Sequence, residues 1–381
     1  MTDFEISIRN TMTEDKLKKR IVFISNHFVA LYNMRWELIE KLLENKENEI
    51  FVIIPPSSEN EFFVKKGLKV IEIPINRRNY NFFADIKTIR KIYLALKTIR
   101  PYAVLTYTIK PNIYGGFCCR LLNIPYFGTI TGTGTSFNSC YFAKQCAIVL
   151  YRLGIKKAQC VFFQNESNLN LFKKQHIIGD HCRLVSGSGV NLIKFPFSNY
   201  PENDGTVRFL FIGRIMKEKG IEELLKCTKL IKAKYSNVFF DIVGFCEEGY
   251  EGILNRLSNE NVIKYYGFVK DIKAFYQSHH AVVLPSYHEG MANVLLEASA
   301  LGRPILASKI PGCQETFDEE ITGLGFQPKS VKDLFRALEK FIQLPYEEKC
   351  LMGLKARQKM ENEFDRYKVV QIYMEEIKKV L

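Results

Sequence analysis

Short apolar runs rich in β-branched and aromatic residues alternate with helical patterns along most of this chain, and the alternation breaks near residue 190 before it restarts. Parallel sheets have this rhythm because each strand needs a crossover helix to reach the next one. The first series of predicted strands comprises residues 20–25, 49–54, 69–73, 102–107, 126–130 and 160–164. The second series comprises residues 207–212, 238–243, 262–266, 281–284 and 305–308. The pattern therefore predicts an α/β protein with two domains.

Length and composition agree with two domains and set limits on location. The chain has 381 residues, of which 47% are hydrophobic, enough for two ordinary cores. No apolar run approaches the roughly 18 residues of a membrane span, and residues 1–20 lack the apolar core of a secretion signal. Ten cysteines occur without a C-x2-C pair. We therefore expect a cytoplasmic protein with free thiols and no zinc site.

The segment HEGMANVLLEASALG, residues 288–302, carries two glutamates eight positions apart, Glu289 and Glu297. An apolar run ends just before it, Gly290 allows a tight turn, and helix formers follow. The amides that begin a helix have no internal acceptor and carry partial positive charge, so the backbone at 290–294 is suited to a phosphate. The carboxylates on either side can accept hydrogen bonds from sugar hydroxyls.

A second segment, FLFIGRIMKEKGIEEL at residues 209–224, is also a strand, a glycine turn and an amphipathic helix. Arg214 and Lys219 stand five positions apart in the turn after Gly213. Arginine is suited to bidentate contact with phosphate, and lysine adds a point charge. This spacing predicts a second anion-binding loop.

Together these segments resemble the donor-binding signature of the retaining nucleotide-sugar glycosyltransferases of family 4. The segments SGSGVNLIKF (186–195) and YYGFVKDIKAFYQSHHAVVLPS (265–286) resemble further elements of that family in the same order. The resemblance implies the GT-B fold, with two facing Rossmann-like domains and a C-terminal helix that crosses back to the N-terminal domain. It assigns catalytic roles to Glu289, Arg214 and Lys219. It assigns donor binding to Gly213, Phe268, Val269, Gly290, Met291, Ala292, Asn293, Val294 and Glu297.

The resemblance also predicts how the chain is divided. Residues 1–19 form a flexible extension, 20–190 an acceptor-binding domain and 191–364 a nucleotide-sugar-binding domain. Residues 365–381 form the helix that packs back on the first domain.

Polar residues that follow the strands of the first domain are the predicted acceptor site, because ligands of open α/β sheets bind beyond the carboxyl ends of the strands. They are His27, Arg35, Lys110, Asn112 and Thr131. The segments 25–42, 106–116 and 130–137 that contain them resemble the branch of the family that extends undecaprenyl-diphosphate-linked glycans. Helix capping and surface charge are the alternative roles for Arg35, Lys110 and Asn112. Many members of the family have a histidine where this chain has Thr131, and His27 is the nearest substitute.

The net charge of +13 favours an anionic partner. Basic residues concentrate between residues 77 and 100, where a helical pattern puts apolar residues on one side and lysine and arginine on another. Such a helix can rest on an anionic membrane, or it can be a soluble helix with a solvated basic face. A membrane partner is predicted and nucleic acid is not.

The function predicted from these features is transfer of a hexose or N-acetylhexosamine from a UDP-sugar to a polyprenyl-diphosphate-linked sugar, with retention of anomeric configuration. A UDP-N-acetylglucosamine 2-epimerase of the same fold and a non-enzymatic nucleic-acid-binding protein are the alternatives. The glycine loops 186–192 and 131–137 lack the third glycine of a dinucleotide fingerprint, and no D-x-D motif occurs, so neither a cofactor nor a metal is predicted. The donor sugar, the acceptor sugar and the oligomeric state stay open.

Overall fold

The computed structural model describes residue 4 and residues 18–76, 82–132 and 141–381. It divides the chain into two compact units, residues 1–188 with 367–381 (unit 1) and residues 189–366 (unit 2). The predicted extension, apart from residues 4, 18 and 19, and positions 133–137 of the predicted acceptor segment lie outside the described residues.

Unit 1 is built on a seven-stranded, all-parallel sheet with the order β3-β2-β1-β4-β5-β6-β7. Its strands are β1 Lys19–Ile24, β2 Asn48–Ile54, β3 Lys69–Glu72, β4 Ala103–Tyr107, β5 Tyr126–Ile130, β6 Cys160–Phe163 and β7 Cys182–Leu184. Its helices are α1 Phe28–Met34, α2 Trp36–Leu43, α3 Glu61–Lys65, α4 Phe82–Ile99, α5 Ile109–Leu122, α6 Tyr141–Ile155, α7 Glu166–Lys174 and α14 Arg366–Lys378. Strands β4, β5 and β6 are buried along their whole length because helices cover both faces of the sheet.

The two faces of this sheet have separate cores. Helices α4 to α7 cover one face, and α1 to α3 together with α14 cover the other. On α14 the Tyr373 ring stacks on Phe162 with centroids 3.9 Å apart, and its hydroxyl lies 2.9 Å from the Thr129 hydroxyl. The last helix of the chain is thus part of the core of unit 1.

Unit 2 has a six-stranded parallel sheet with the order β10-β9-β8-β11-β12-β13. Its strands are β8 Val207–Ile212, β9 Val238–Val243, β10 Lys264–Tyr265, β11 Ala281–Leu284, β12 Ile305–Ser308 and β13 Gly323–Phe326. Its helices are α8 Ile221–Lys234, α9 Glu251–Asn259, α10 Lys273–Ser278, α11 Asn293–Ala300, α12 Val331–Gln343 and α13 Tyr346–Glu363. The two Rossmann-like sheets confirm the predicted α/β class.

All eleven predicted strands are present, and the two that the sequence analysis missed, β7 and β13, lie at sheet edges. Strand β7 exposes Arg183 and Leu184, and β13 contains Gly323 and Gly325. An edge strand has only one neighbour, so it needs no continuous apolar run and gives a weak sequence signal.

Helices α5 and α6 are in backbone contact through two glycines. A Cβ added to Gly116 would lie 2.1 Å from the Gly154 carbonyl oxygen, and one added to Gly154 would lie 2.6 Å from the Ile113 Cα. Neither contact admits a methyl group, so this pair of glycines fixes the separation of the two helices.

Gly154→Ala is therefore expected to lower the free energy of unfolding by about 1–3 kcal/mol, because the new methyl group has no space. Thermal unfolding followed by circular dichroism measures the effect. The matched control is Gly252→Ala in α9, where an added Cβ meets nothing within 4 Å. The control is expected to keep or raise the melting temperature. Equal melting temperatures for the two variants would contradict the close approach.

Candidate functional site

Loops from widely separated parts of the chain meet at one edge of the unit 2 sheet. All six strands are parallel, so the segments that follow β8, β9, β11 and β12 leave from the same edge. Two backbone hydrogen bonds connect these loops directly. The Tyr287 amide donates to the Glu218 carbonyl at 2.8 Å, and the Ala292 amide donates to the Gly312 carbonyl at 2.8 Å. The first bond connects the loop after β11 to the predicted segment 209–224, and the second connects the predicted segment 288–302 to the loop after β12.

Three glycines let these loops touch through their backbones. A Cβ on Gly244 would lie 1.7 Å from the Gly213 oxygen, and one on Gly220 would lie 2.0 Å from the Pro285 oxygen. A Cβ on Gly312 would lie 2.7 Å from the Glu289 oxygen. Gly220 and Gly312 also have φ values of +70° and +86°, which other residues rarely adopt. The site therefore requires glycine at these positions for steric reasons.

The structure brings the predicted residues Glu289 and Lys219 into direct contact. The Lys219 ammonium donates to Oε1 of Glu289, and the buried Ser286 hydroxyl donates to the same oxygen at 2.8 Å. The two charged side chains are 18% and 13% exposed, so solvent screens this pair only in part. Ser286 was not among the predicted site residues, although it lies three positions before Glu289.

Arg214 also has a carboxylate partner that the sequence analysis missed. Its Nη1 atom lies 3.2 Å from both carboxylate oxygens of Glu247, in the loop after β9. That loop is held against the loop after β8, since the Ile215 amide donates to the Phe245 carbonyl at 2.9 Å and the Glu247 amide donates to the Ile215 carbonyl at 3.0 Å. No spacing or motif in the sequence connects residues 214 and 247.

Helix α11 begins at Asn293 with Ala292 at its N-cap position, and no side chain caps it. Helix geometry gives the amides of Asn293 and Val294 no acceptor within the helix, and the alanine side chain cannot supply one. The residues before them, Met291 and Ala292, are buried. This helix start is thus suited to an anionic group, as predicted for residues 290–294.

Glu297 lies one turn into α11, and Tyr276 holds its carboxylate. The Tyr276 hydroxyl, in a fully buried side chain, donates to Oε2 of Glu297 at 2.9 Å. Burial raises the pKa of Glu297, while this hydrogen bond and the charges of Arg366 and Lys194 act in the opposite direction. After Ser286 and Glu247, Tyr276 is the third residue that was not predicted for the site.

The predicted base-binding loop lies beside the same edge. Gly267, with φ of +65°, accepts a hydrogen bond from the Gly244 amide at 2.8 Å. The next residue, Phe268, is 72% exposed, whereas Val269 packs against the core of unit 2. An exposed aromatic side chain at this place offers a stacking surface, and the contact with a base stays a prediction.

In unit 1 the predicted acceptor residues have different environments. His27 caps α1, with Nδ1 accepting from the Val29 amide at 3.1 Å. Arg35 is buried, with its guanidinium centre 5.0 Å from the Tyr107 ring and 5.4 Å from the Tyr373 ring. The surface-charge alternative for Arg35 is wrong, because only 4% of this residue is exposed.

Lys110 and Asn112 are also buried, on the first turn of α5. Lys110 pairs with Asp85 at 2.7 Å. Asn112 accepts from the Thr106 hydroxyl at 2.7 Å and donates to the Thr129 carbonyl at 2.8 Å. Since Asn112 is 1% exposed and its amide connects β4 and β5, we leave it out of the function proposed below. Thr131 follows β5 and is half-buried.

Within the described part of the chain, no group of three histidine, cysteine, aspartate or glutamate side chains is arranged to hold a metal ion. Among the described helices, none combines the length and apolar character that a bilayer crossing requires.

Comparison with known families decides the class of protein. The family described as "Glycosyl transferases group 1" matches residues 194–363, and the family described as "Glycosyl transferase 4-like" matches residues 20–165. The chain is a glycosyltransferase. The match favours this assignment over the epimerase and nucleic-acid-binding alternatives, and it confirms the family resemblance found in the sequence.

Two relatives of this glycosyltransferase have names that specify a diphospho-undecaprenol-linked substrate, and a third is named for capsular polysaccharide biosynthesis. The N,N'-diacetylbacillosaminyl-diphospho-undecaprenol alpha-1,3-N-acetylgalactosaminyltransferase of Campylobacter jejuni is 29% identical over 352 residues, which are 88% of this chain and 92% of the relative. The UDP-Gal:alpha-D-GlcNAc-diphosphoundecaprenol alpha-1,3-galactosyltransferase of Escherichia coli is 25% identical, with 78% and 81% covered. A capsular polysaccharide biosynthesis glycosyltransferase of Staphylococcus aureus is 24% identical, with 85% and 88% covered.

Solved structures confirm the fold of this glycosyltransferase as GT-B. HepE of Anabaena in complex with UDP and glucose has a TM-score of 0.76 at 14% identity, covering 95% of this chain and 100% of that one. Sucrose-phosphate synthase of Thermosynechococcus elongatus has a TM-score of 0.75 at 18% identity, covering 95% and 98%.

Glu297→Gln is expected to raise the melting temperature at pH 8. Burial raises the pKa of Glu297, so the folded protein binds the carboxyl proton more tightly than the unfolded chain does. The ionised carboxylate therefore destabilises the fold, and this effect grows as pH rises through the pKa of the folded state. The gain should shrink towards pH 5. Thermal unfolding at both values measures it, with the exposed Glu260→Gln as control. A larger gain in melting temperature at pH 5 than at pH 8 would contradict a raised pKa for Glu297.

Proposed function

We propose that this glycosyltransferase moves a hexose or N-acetylhexosamine from a UDP-sugar to a polyprenyl-diphosphate-linked sugar in the assembly of a bacterial surface polysaccharide or glycan. The observation that carries the proposal is the contact of Lys219 with Glu289 beside the uncapped start of α11. A cation, a helix start and a carboxylate placed together suit a ligand that joins a diphosphate to a sugar. The names of the relatives support the acceptor class.

In this mechanism the diphosphate binds Arg214, Lys219 and the amides of Asn293 and Val294, because the Ala292 amide already donates to the Gly312 carbonyl. Departure of UDP leaves positive charge at the anomeric carbon, and the carboxylate of Glu289 stabilises that charge and holds donor hydroxyls. Ser286 fixes the orientation of Glu289. Configuration is retained because the leaving phosphate takes the proton of the acceptor hydroxyl on the face from which it departs.

Glu297 binds the ribose diol in this proposal, and the loop at Phe268 and Val269 contacts uracil. The Tyr276 hydroxyl occupies Oε2 of Glu297. A carboxylate oxygen can accept more than one hydrogen bond, so Glu297 can accept from the ribose while it keeps the bond from Tyr276.

The acceptor is assigned to the loops at the carboxyl edge of the unit 1 sheet, where His27, Lys110 and Thr131 follow β1, β4 and β5. A lipid-linked acceptor places the reaction at a membrane surface, and the net charge of +13 suits an anionic leaflet. We accordingly assign the protein to the cytoplasmic face of the inner membrane as a peripheral protein.

UDP release in the presence of a panel of UDP-sugars and polyprenyl-diphosphate-linked acceptors tests the function. Rapid release is expected only when donor and acceptor are both present. Glu289→Gln should reduce turnover about a hundredfold or more, since it removes the charge that faces the anomeric carbon. Interconversion of UDP-sugars without acceptor would instead identify an epimerase.

UDP affinity tests the donor site separately from the acceptor. Arg214→Ala and Glu297→Ala are each expected to weaken UDP binding about tenfold, because each removes a hydrogen bond to a charged group. Isothermal titration calorimetry gives the dissociation constants. Arg208→Ala is the control, since Arg208 lies on β8 and pairs with Asp204. Unchanged affinity in both site variants would overturn the site assignment.

A further inference from the structure

Helix α6 in unit 1 is apolar on both of its faces although only one face is packed. The buried face comprises Ala147, Ile148, Tyr151 and Ile155. The opposite face exposes Phe142, Val149, Leu150 and Leu153, which recur at the spacing of a helical stripe. Phe142 is 77% exposed. An apolar stripe that stays exposed along a helix is typical of a surface that contacts a protein partner or a lipid phase.

Helix α4 has a related apolar cluster in its first turns. Phe82, Phe83 and Ile86 are exposed, and Phe83 is 82% exposed. The two phenylalanine rings contact each other edge to face, with centroids 5.8 Å apart. Both α4 and α6 pack against α5, so the two clusters lie on the same side of the unit 1 sheet.

The direction of the helices places Phe82 and Phe83 of α4 and Phe142 of α6 at the edge that carries the predicted acceptor loops. A helix that connects parallel strands runs opposite to them, so α4 and α6 begin at the edge where the strands end. A direct contact supports this. Asp85, in the same turn as Phe82 and Phe83, pairs with Lys110 at the start of α5. The exposed phenylalanines are therefore close to the loop after β4.

Charge decides which partner these apolar residues suit. Helices α4 and α6 together carry six basic residues and one acidic residue, Asp85, which is paired with Lys110. The basic residues are Lys87, Arg90, Lys91, Lys97, Lys144 and Arg152. Apolar side chains bordered by unbalanced cations fit a bilayer with anionic headgroups. A second copy of the chain would bring like charges together and is disfavoured.

We propose that the exposed apolar residues of α4 and α6, with the cations beside them, are the surface that docks on an anionic bilayer. We name it the α4/α6 surface. The inference rests on the proposed function for its biological sense, since a lipid-linked acceptor arrives from the bilayer. It goes beyond that function in naming the side chains that enter the lipid.

Binding to lipid vesicles without acceptor tests this surface independently of catalysis. The probe is a set of vesicles of phosphatidylglycerol and phosphatidylethanolamine, with phosphatidylcholine vesicles for comparison, and co-sedimentation measures the bound fraction. The wild type is expected to bind the anionic vesicles, and more weakly at high salt. The double variants Phe82→Ser with Phe83→Ser, and Leu150→Ser with Leu153→Ser, should each bind about tenfold more weakly.

The matched control is Leu351→Ser with Leu354→Ser. These two residues are three positions apart on α13 and are 48% and 43% exposed, close to the 40% and 43% of Leu150 and Leu153. The control should bind vesicles as the wild type does. All four proteins should have equal turnover on a short-chain, water-soluble acceptor, because the substituted residues lie outside the proposed donor and acceptor sites.

The possible results separate this inference from the proposed function. Equal vesicle binding by the wild type and both α4/α6 variants, or no binding by the wild type, would overturn the inference even if turnover is normal. A wild-type dimer in analytical ultracentrifugation that the same substitutions dissociate would overturn it in favour of an interface between copies. Absence of turnover with every donor and acceptor would count against the function alone, since vesicle binding needs neither.

Discussion

The close contact between the backbone at Gly220 and the carbonyl of Pro285 is the constraint on which the site in unit 2 depends. Lys219 and Glu289 are 70 positions apart in the chain, and they meet because this contact leaves no room for a Cβ between their loops. The Gly244 contact with Gly213 has the same effect for Arg214 and Glu247. Side-chain chemistry at this edge is thus a consequence of backbone packing.

Both cations assigned to the diphosphate have carboxylate partners, and this changes how the site must work. Lys219 contacts Glu289, and Arg214 contacts Glu247. A diphosphate carries two negative charges and offers several acceptor oxygens, so it can compete with these carboxylates for the cations. Glu247 contacts Arg214 through Nη1, and a guanidinium has five N–H groups in all, so Arg214 can contact phosphate oxygens as well.

The sequence was sufficient to predict what depends on local pattern. Strands β8, β9 and β11 have the predicted bounds because each is an apolar run next to a glycine, a proline or a polar residue. Side-chain contacts between different loops could not be predicted from local pattern. Ser286, Tyr276 and Glu247 act on predicted residues, but no periodicity connects them, and only the order of the parallel strands brings their loops together. The burial of Asn112 could not be predicted either, because the sequence does not show whether a polar residue after a strand faces a ligand or the core.

Unit 1 has both a packed Rossmann-like core and exposed apolar residues on its outer helices α4 and α6. Gly116 and Gly154 serve the core, since they allow α5 and α6 to approach to backbone contact. Phe142, Val149 and Leu153 on the outer face of α6 remain exposed in the described part of the chain, so packing there does not explain why they are apolar. The pair Asp85–Lys110 connects the start of α4 to the start of α5, next to the acceptor loops. A surface that meets lipid at this place would present a lipid-linked acceptor to the edge of the sheet where ligands of this fold bind.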